Sequence, residues 1–261
     1  MSEPLVFLYG ILALVMELTP ITLETVCPPQ DDLLAKIRAS SLSLEEHDVI
    51  ALSSKVVAIG QGRCVPREGT DLDALTRQEA DLYLDRALTP GRFVMHTIKG
   101  SSLIAHAGID PFAGYYVLWP ERPQETAAEL LAWFKKEYKK EHLYLVLTDS
   151  RSVFLRRGVI GTAIAWAGFE PVYDNRMRTD LLGHASGGSQ TNIPDALAAA
   201  AVFVMGEANE GTPLVRIRNA PYVQNAQTGR RAKFNDYECS MEEDIFAPFM
   251  KDLPWKKGGD L

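Results

Sequence analysis

Leu143-Tyr144-Leu145-Val146-Leu147-Thr148-Asp149-Ser150 is a continuous apolar run that stops on three polar residues, and it reads as a buried strand. A second such run, Val159 to Trp166, follows it and is rich in small residues. Before the pair, Glu125 to Tyr138 predicts a helix: Ala128, Leu131, Ala132 and Phe134 share one stripe, and Lys135-Lys136 sits in the last turn, where cations suit the helix dipole. After it, Pro194 to Met205 predicts an alanine-rich helix with Pro in its first turn and Gly206 at its end, and Leu214 to Ile217 predicts another strand.

Upstream, the pattern predicts a helix over Asp31 to Ser40, a strand over Val49 to Leu52, a polar break at Ser53-Ser54-Lys55, and strand or helix over Val56 to Ile59. Gly60-Gln61-Gly62-Arg63 reads as a turn or a close approach to a ligand. A surface helix is expected over Asp71 to Ala87, and a hairpin around Lys99-Gly100 within Phe93 to Ile104. Leu5 to Met16 reads as a first strand, Ser186-Gly187-Gly188-Ser189 as a flexible loop, and Lys256 to Leu261 as a loosely held tail. Helices and strands alternate irregularly, so the expected fold is mixed α/β or α+β rather than a doubly wound sheet.

At 261 residues, 46% hydrophobic and 23% charged, the chain can bury a sizeable core without a staple. Cys27, Cys64 and Cys239 form neither a disulfide framework nor a zinc pattern and read as reduced thiols in a cytoplasmic protein. A charge of -7, from 27 basic and 34 acidic residues, disfavours a nucleic-acid coat. The opening apolar stretch lacks a basic flank and a cleavage site and falls short of the roughly 20 residues of a membrane span, so no membrane or nucleic-acid partner is expected.

No phosphate-binding loop, dinucleotide fingerprint, zinc-protease helix or nucleophile elbow is present. What stands out is a set of acids at the ends of apolar runs: Asp110 after Ala107-Gly108-Ile109, Asp149 in Thr148-Asp149-Ser150, and Glu207 after Met205-Gly206. Converging carboxylates suit Mg²⁺ or Mn²⁺ with substrate phosphates, and the same residues equally suit caps and turns. Ser53-Ser54-Lys55 suits phosphate oxygens or a mere break between buried runs. Arg156-Arg157, and Arg176 and Arg178 near Asp174 and Asp180, are weak anion-clamp candidates, while His106 reads as a hydrogen-bonded core or rim residue.

Taken together, these stretches resemble the coenzyme F-420-0:L-glutamate ligase, or gamma-glutamyl ligase, family. The matching segments are Ser53-Ser54-Lys55-Val56-Val57 with Gly62-Arg63, Ala107-Gly108-Ile109-Asp110, Gly114 to Leu118 with Pro120, and Thr148-Asp149-Ser150. They continue through Arg157 to Ile164, Asp174 to Asp180 with Gly183, Asp195 to Gly211 with Pro213, and the closing Glu242 to Phe246. The resemblance implies a mixed α/β fold of two interwoven lobes spanning 1–246 with a tail over 247–261, and a homodimer. It also implies GTP-dependent amide formation: an acceptor carboxylate takes the γ-phosphoryl group, and the amino group of L-glutamate displaces phosphate. The acceptor is a carboxylate-bearing coenzyme precursor, with a folate-like acceptor or a non-catalytic binder as alternatives.

Carried over position by position, the resemblance makes Asp110 and Asp149 catalytic, and Asp110, Asp149, Ser150 and Glu207 ligands of Mg²⁺ or Mn²⁺, with K⁺ a further candidate ion. Ser54, Lys55, Gly206, Ala208, Asn209 and Gly211 fall at nucleotide positions, near an early turn at Leu18 to Ile21. The family pattern is broken where Pro111-Phe112-Ala113 replaces Glu-Ser-Asn, where Ile59 replaces a lysine, and where Arg151-Ser152-Val153 replaces Gly-Arg-Pro. Glu207 stands where glutamine is usual, which adds charge at the metal position.

Overall fold

Two strands that emerge at the same end of a sheet organise the molecule. In the computed structural model, which describes residues 15–176, 179–184, 189–223 and 237–259, Val49–Ser53 (β2) runs parallel to Tyr144–Ser152 (β9), with Ala51 opposite Val146. Glu17–Ile21 (β1), Leu214–Arg218 (β13) and Val159–Ala167 (β10) complete a five-stranded sheet ordered β1-β13-β2-β9-β10, and every other pairing in it is antiparallel.

Both faces of this sheet are covered, which explains why its central strands read as continuous apolar runs, Val49 to Leu52 and Tyr144 to Leu147, rather than alternating. Leu33–Ala39 (α1), Ser54–Gly60 (α2) and Pro123–Tyr138 (α4) cover one face, where Ile37, Leu52, Ile59, Phe134, Leu145 and Leu147 pack together. Ile193–Met205 (α5) covers the other, packing Ala198, Ala201 and Val202 on Ala51, Val146 and Val215. Each fully buried Leu or Ile contributes about 1.5–3 kcal/mol of transfer free energy, so the two layers fix which side of β9 each residue faces. Gly161 lets α5 seat closely on β10, because a Cβ there would run into the Ala198 carbonyl and Val202.

Residues 64–117 form smaller sheets beside the large one. Cys64–Pro66 (β3), Asp110–Phe112 (β7) and Tyr115–Val117 (β8) pair in the order β3-β8-β7. Leu82–Tyr83 (β4), His96–Lys99 (β5), Ser102–Ala105 (β6) and Lys256–Lys257 (β14) pair as β14-β4-β5-β6. The expected hairpin is present, with Gly100 (φ 50) and Ser101 (φ 57) both in the left-handed region that a two-residue turn requires. Leu72–Glu79 (α3) flanks this layer, Val172–Asp174 (β11) pairs with Gln190–Asn192 (β12), and Ala247–Met250 (α6) precedes β14.

The architecture is mixed α/β with several sheets, as expected. Val56 to Ile59 takes the helical alternative. The surface helix expected over Asp71 to Ala87 ends at Glu79, because Leu82 and Tyr83 are drawn into pairing with Ile98 and Thr97. Leu18 to Ile21, expected as a turn, lies in β1, paired with Leu214 to Ile217. The expected loose tail is tied down as far as Gly259: Lys256 pairs with Tyr83, and the Gly258 and Gly259 N–H groups donate to the Asp81 and Arg77 carbonyls, while Asp260 and Leu261 lie outside the described residues. The strand expected over Leu5 to Met16 lies, apart from Val15 and Met16, outside the described residues, as do Arg178 and Ser186 to Gly188. Among the described residues no helix is long and apolar enough to cross a membrane.

Candidate functional site

The end of the sheet where β2 and β9 finish gathers most of the chemistry-bearing residues. Asp149 and Ser150 are not in a cap or a turn; β9 continues through them to Ser152, so they point to opposite faces. Asp149 shares the face of Leu145 and Leu147, whereas Ser150 shares the α5 face and its hydroxyl donates to Glu207 Oε1 at 2.7 Å.

On the Asp149 face, Asp110 enters from β7, and its Oδ2 lies 3.1 Å from Lys55 Nζ at the start of α2. The Ser150 backbone N–H donates to Asp149 Oδ1 at 2.8 Å, and the Trp119 indole N–H donates to Asp149 Oδ2. Burial, reinforced by the nearby Asp110 charge, pushes the Asp149 carboxyl up to about 7. Its two hydrogen bonds and Lys55 only partly offset that push.

Trp119 is itself held. Arg63 Nε donates to its carbonyl at 3.2 Å, and Lys99 Nζ lies 5.7 Å from its ring centroid. Both cations converge on Glu79, each at 2.7 Å. Burial opposes the ionised form of Glu79, yet Lys99 and Arg63 outweigh it and hold the carboxyl below its ordinary range. Gly108, at φ 72, leaves room for the indole, since a Cβ there would fall on Trp119 Nε1.

The positions expected to meet a nucleotide lie along the same end. Ser54 is buried at the top of α2. The loop carrying Gly206, Ala208, Asn209 and Gly211 is tied across the strand ends by Leu23 N–H to the Gly211 carbonyl at 3.1 Å and Ser53 N–H to the Pro213 carbonyl at 2.9 Å. Gly206 (φ 80) admits the Glu210 side chain, whose Oε2 accepts from the Ala208 N–H at 2.9 Å.

The structure therefore brings Lys55, Asp110 and Asp149 together on one face of β9, and Ser150 with Glu207 on the other. Among the described residues no three His, Cys, Asp or Glu side chains form a preassembled metal cluster. The donor chemistry still fits a hard divalent cation: two carboxylates share one ammonium, and their mutual repulsion is what a cation would relieve. Of the other candidates, Arg176 is engaged by Asp174 at 2.6 Å, the exposed Arg156 reaches the Leu155 carbonyl at 3.0 Å, and His106, lowered chiefly by burial, is a packed histidine beside Thr76.

Sequence reasoning did not find Trp119, Glu79 or Lys99. The one available signal was a tryptophan inside an apolar stretch, whose N–H must find an acceptor once buried.

A family model described as F420-0:Gamma-glutamyl ligase matches residues 26–219. A protein named coenzyme F420:L-glutamate ligase from Methanopyrus kandleri is 30% identical over 236 residues, covering 84% of this chain and 93% of the relative. Proteins of the same name from Methanocaldococcus jannaschii (28% identical, 78% and 86% covered) and Halorubrum lacusprofundi (30% identical, 72% and 81% covered) are also similar. The chain belongs to the F420-0:gamma-glutamyl ligase family, a family of enzymes that form carbon–nitrogen bonds.

Proposed function

We propose that this protein is a nucleotide-dependent ligase that joins L-glutamate to a carboxylate acceptor such as the coenzyme F420 precursor, with GTP as phosphoryl donor and Mg²⁺ or Mn²⁺ as the cation. The observation that carries the reading is the array of Lys55, Asp110 and Asp149 beside Ser150 and Glu207, at the shared end of β2 and β9.

In this reading the Ser54 hydroxyl and Lys55 ammonium face the nucleotide phosphates, and the Gly206 to Gly211 loop lies along the nucleotide. Asp110 and Asp149 on one face of β9, and Ser150 and Glu207 on the other, would supply the oxygen donors for divalent cations, which when bound would offset triphosphate charge. The acceptor carboxylate oxygen attacks the γ-phosphorus and the nucleotide diphosphate departs. The amine of L-glutamate then attacks the acyl carbon, the C–N bond forms, and phosphate leaves with the C–O electron pair. Phe154, Leu155, Val159 and Ile160 are exposed around the β9–β10 turn, and Phe154 lies 6.0 Å from the Phe246 ring, an apolar surface that supports the homodimer.

A second reading, a nucleotide or coenzyme binder without turnover, is favoured by two positions. Ile59 is 1% exposed inside α2 and offers no cation, and Ala113 (φ 45) carries no polar side chain in the β7–β8 turn. The deciding experiment is thermal-shift titration with GTP, ATP and GDP, with and without Mn²⁺ or Mg²⁺, followed by a phosphate-release assay with acceptor and L-glutamate. Cation-dependent stabilisation with glutamate-dependent phosphate release supports the ligase; stabilisation without release supports the binder.

A further inference from the structure

A cavity of about 190 Å³ opens along the outer edge of β10, lined by Arg151, Asp195, Tyr237, Glu238 and Asp244, with Gly100 of the β5–β6 turn at its rim. Its volume is well below the roughly 300 Å³ at which drug-sized pockets begin, so it suits a small polar molecule rather than a nucleotide or a fused-ring coenzyme.

The charges on its wall are unmatched in both senses. Arg151 Nε is enclosed and has no hydrogen-bond partner among the described residues, and the guanidinium approaches Asp195 Oδ2 only to 3.9 Å. Asp195 is already occupied: Oδ1 accepts from Thr162 Oγ1 and the Ala163 N–H, each at 2.8 Å, and Oδ2 accepts from Asn192 Nδ2 at 2.8 Å. A half-buried guanidinium whose enclosed Nε is unspent calls for a ligand carboxylate. Conversely, among the described residues lining the cavity, three carboxylates, Asp195, Glu238 and Asp244, stand against one cation, which calls for a ligand ammonium. Both demands are met by a free amino acid.

The cavity also adjoins the site already described. Arg151 stands two residues beyond Asp149 on the same face of β9, a separation of about 7 Å along a strand, and Thr162 pairs directly with Asp149. A Cβ on Gly100 would lie 3.5 Å from the Trp119 ring, the ring that bonds Asp149.

We propose that this cavity binds the amino-acid co-substrate, an acidic α-amino acid of the size of L-glutamate, with a carboxylate on Arg151 and the ammonium toward the acidic wall. The identity of the amino acid rests on the ligase reading; the charge pattern of the ligand does not.

The test uses the full chain in equilibrium dialysis with labelled L-glutamate, with and without Mg²⁺ and GTP, and in steady-state ligation. Glutarate, which lacks the ammonium, serves as the competitor. Wild-type protein is expected to bind L-glutamate saturably and glutarate about tenfold or more weakly, on the scale of one lost charge-assisted interaction. Arg151→Met is expected to weaken glutamate binding and raise its KM by about tenfold or more, while the nucleotide KM stays within about twofold, with Arg151→Lys intermediate. Glu238→Gln, whose carboxylate accepts from the Ser101 hydroxyl at the hairpin tip, is expected to weaken glutamate but not glutarate.

Absence of saturable glutamate binding to the wild type under either condition overturns the proposal. So does an unchanged glutamate KM in Arg151→Met, and in that case ligation persists and the ligase reading stands. Binding that is lost in Arg151→Met, in a protein that never ligates, upholds the cavity and removes the ligase reading.

Discussion

Trp119 donates its indole N–H to Oδ2 of Asp149 while the adjacent Ser150 N–H holds Oδ1, so both oxygens of the most perturbed carboxyl in the site are oriented before any ligand arrives. Trp119→Phe keeps an aromatic ring, though a smaller one, and removes the N–H donor. Loss of an outer-shell partner of this kind costs about 10- to 100-fold in cation affinity or activity. Titration of Mn²⁺ with the purified variant checks this, and near-wild-type affinity would show the bond to be incidental.

Asp149→Asn is expected to lower ligation by about three orders of magnitude or more, the scale of a lost catalytic charge. The same change separates function from stability. The carboxyl sits near 7 in the folded chain and near its ordinary 3.8 when unfolded, so the folded state holds the proton more tightly. Without added cation, wild-type stability contributed by this group therefore falls as pH rises from about 4 to 7. Asparagine removes that loss, so the variant should gain on the wild type between pH 5 and pH 8 by about 2 kcal/mol, discounted for partial exposure. Denaturant melts at the two pH values, with chelator present, provide the measurement.

Glu79 behaves in the opposite sense. Its folded value is depressed, so its contribution is present above the ordinary carboxylate range and is lost as pH falls through the folded value. Glu79→Gln leaves Arg63 and Lys99 around a neutral amide and should cost about 2 kcal/mol at neutral pH. That deficit should vanish in acid, where the wild-type carboxyl is also neutral. A pH-independent deficit would assign the cost to packing instead.

Gly108→Ala places a methyl on Trp119 Nε1 at a backbone φ of 72, combining overpacking with left-handed strain. The expected loss is about 2–3 kcal/mol of stability together with weaker cation binding, because the indole must move off Asp149. Thermal melts alongside Mn²⁺ titration would show whether the two losses travel together.

The long periodic helices and the apolar strands were legible because each is a local pattern with one solution. The helix at Ser54–Gly60 was not: Val56, Val57, Ala58 and Ile59 are all buried, so no polar face marks the period. The end of α3 was equally opaque, since Leu82 and Tyr83 leave the helical pattern only to meet β5. In the site, the acids could be proposed from their places at the ends of runs, and Asp110 and Asp149 do share one face of β9. Which faces Ser150 and Glu207 use depended on β9 running on as a strand past Asp149. The partners that tune the acids lie far away in the chain, as Trp119 does from Asp149, and Arg151 reads as an ordinary polar residue until β10 and α5 are set beside it.

The single parallel pairing in the large sheet, β2 beside β9, sets when the site can exist. The chain between them, residues 54–143, contains α2, α3 and α4 and the strands β3 to β8, and all of it must be spanned before Ser53 can meet Thr148. Closing so long a loop carries an entropic cost that no local contact repays, which makes this contact slow to form. Lys55 and Asp110 belong to the segment between, and Asp149 to the strand that closes it. Assembly of the candidate site is therefore a late event in folding, reached when the crossover closes rather than when its helices and hairpins first appear.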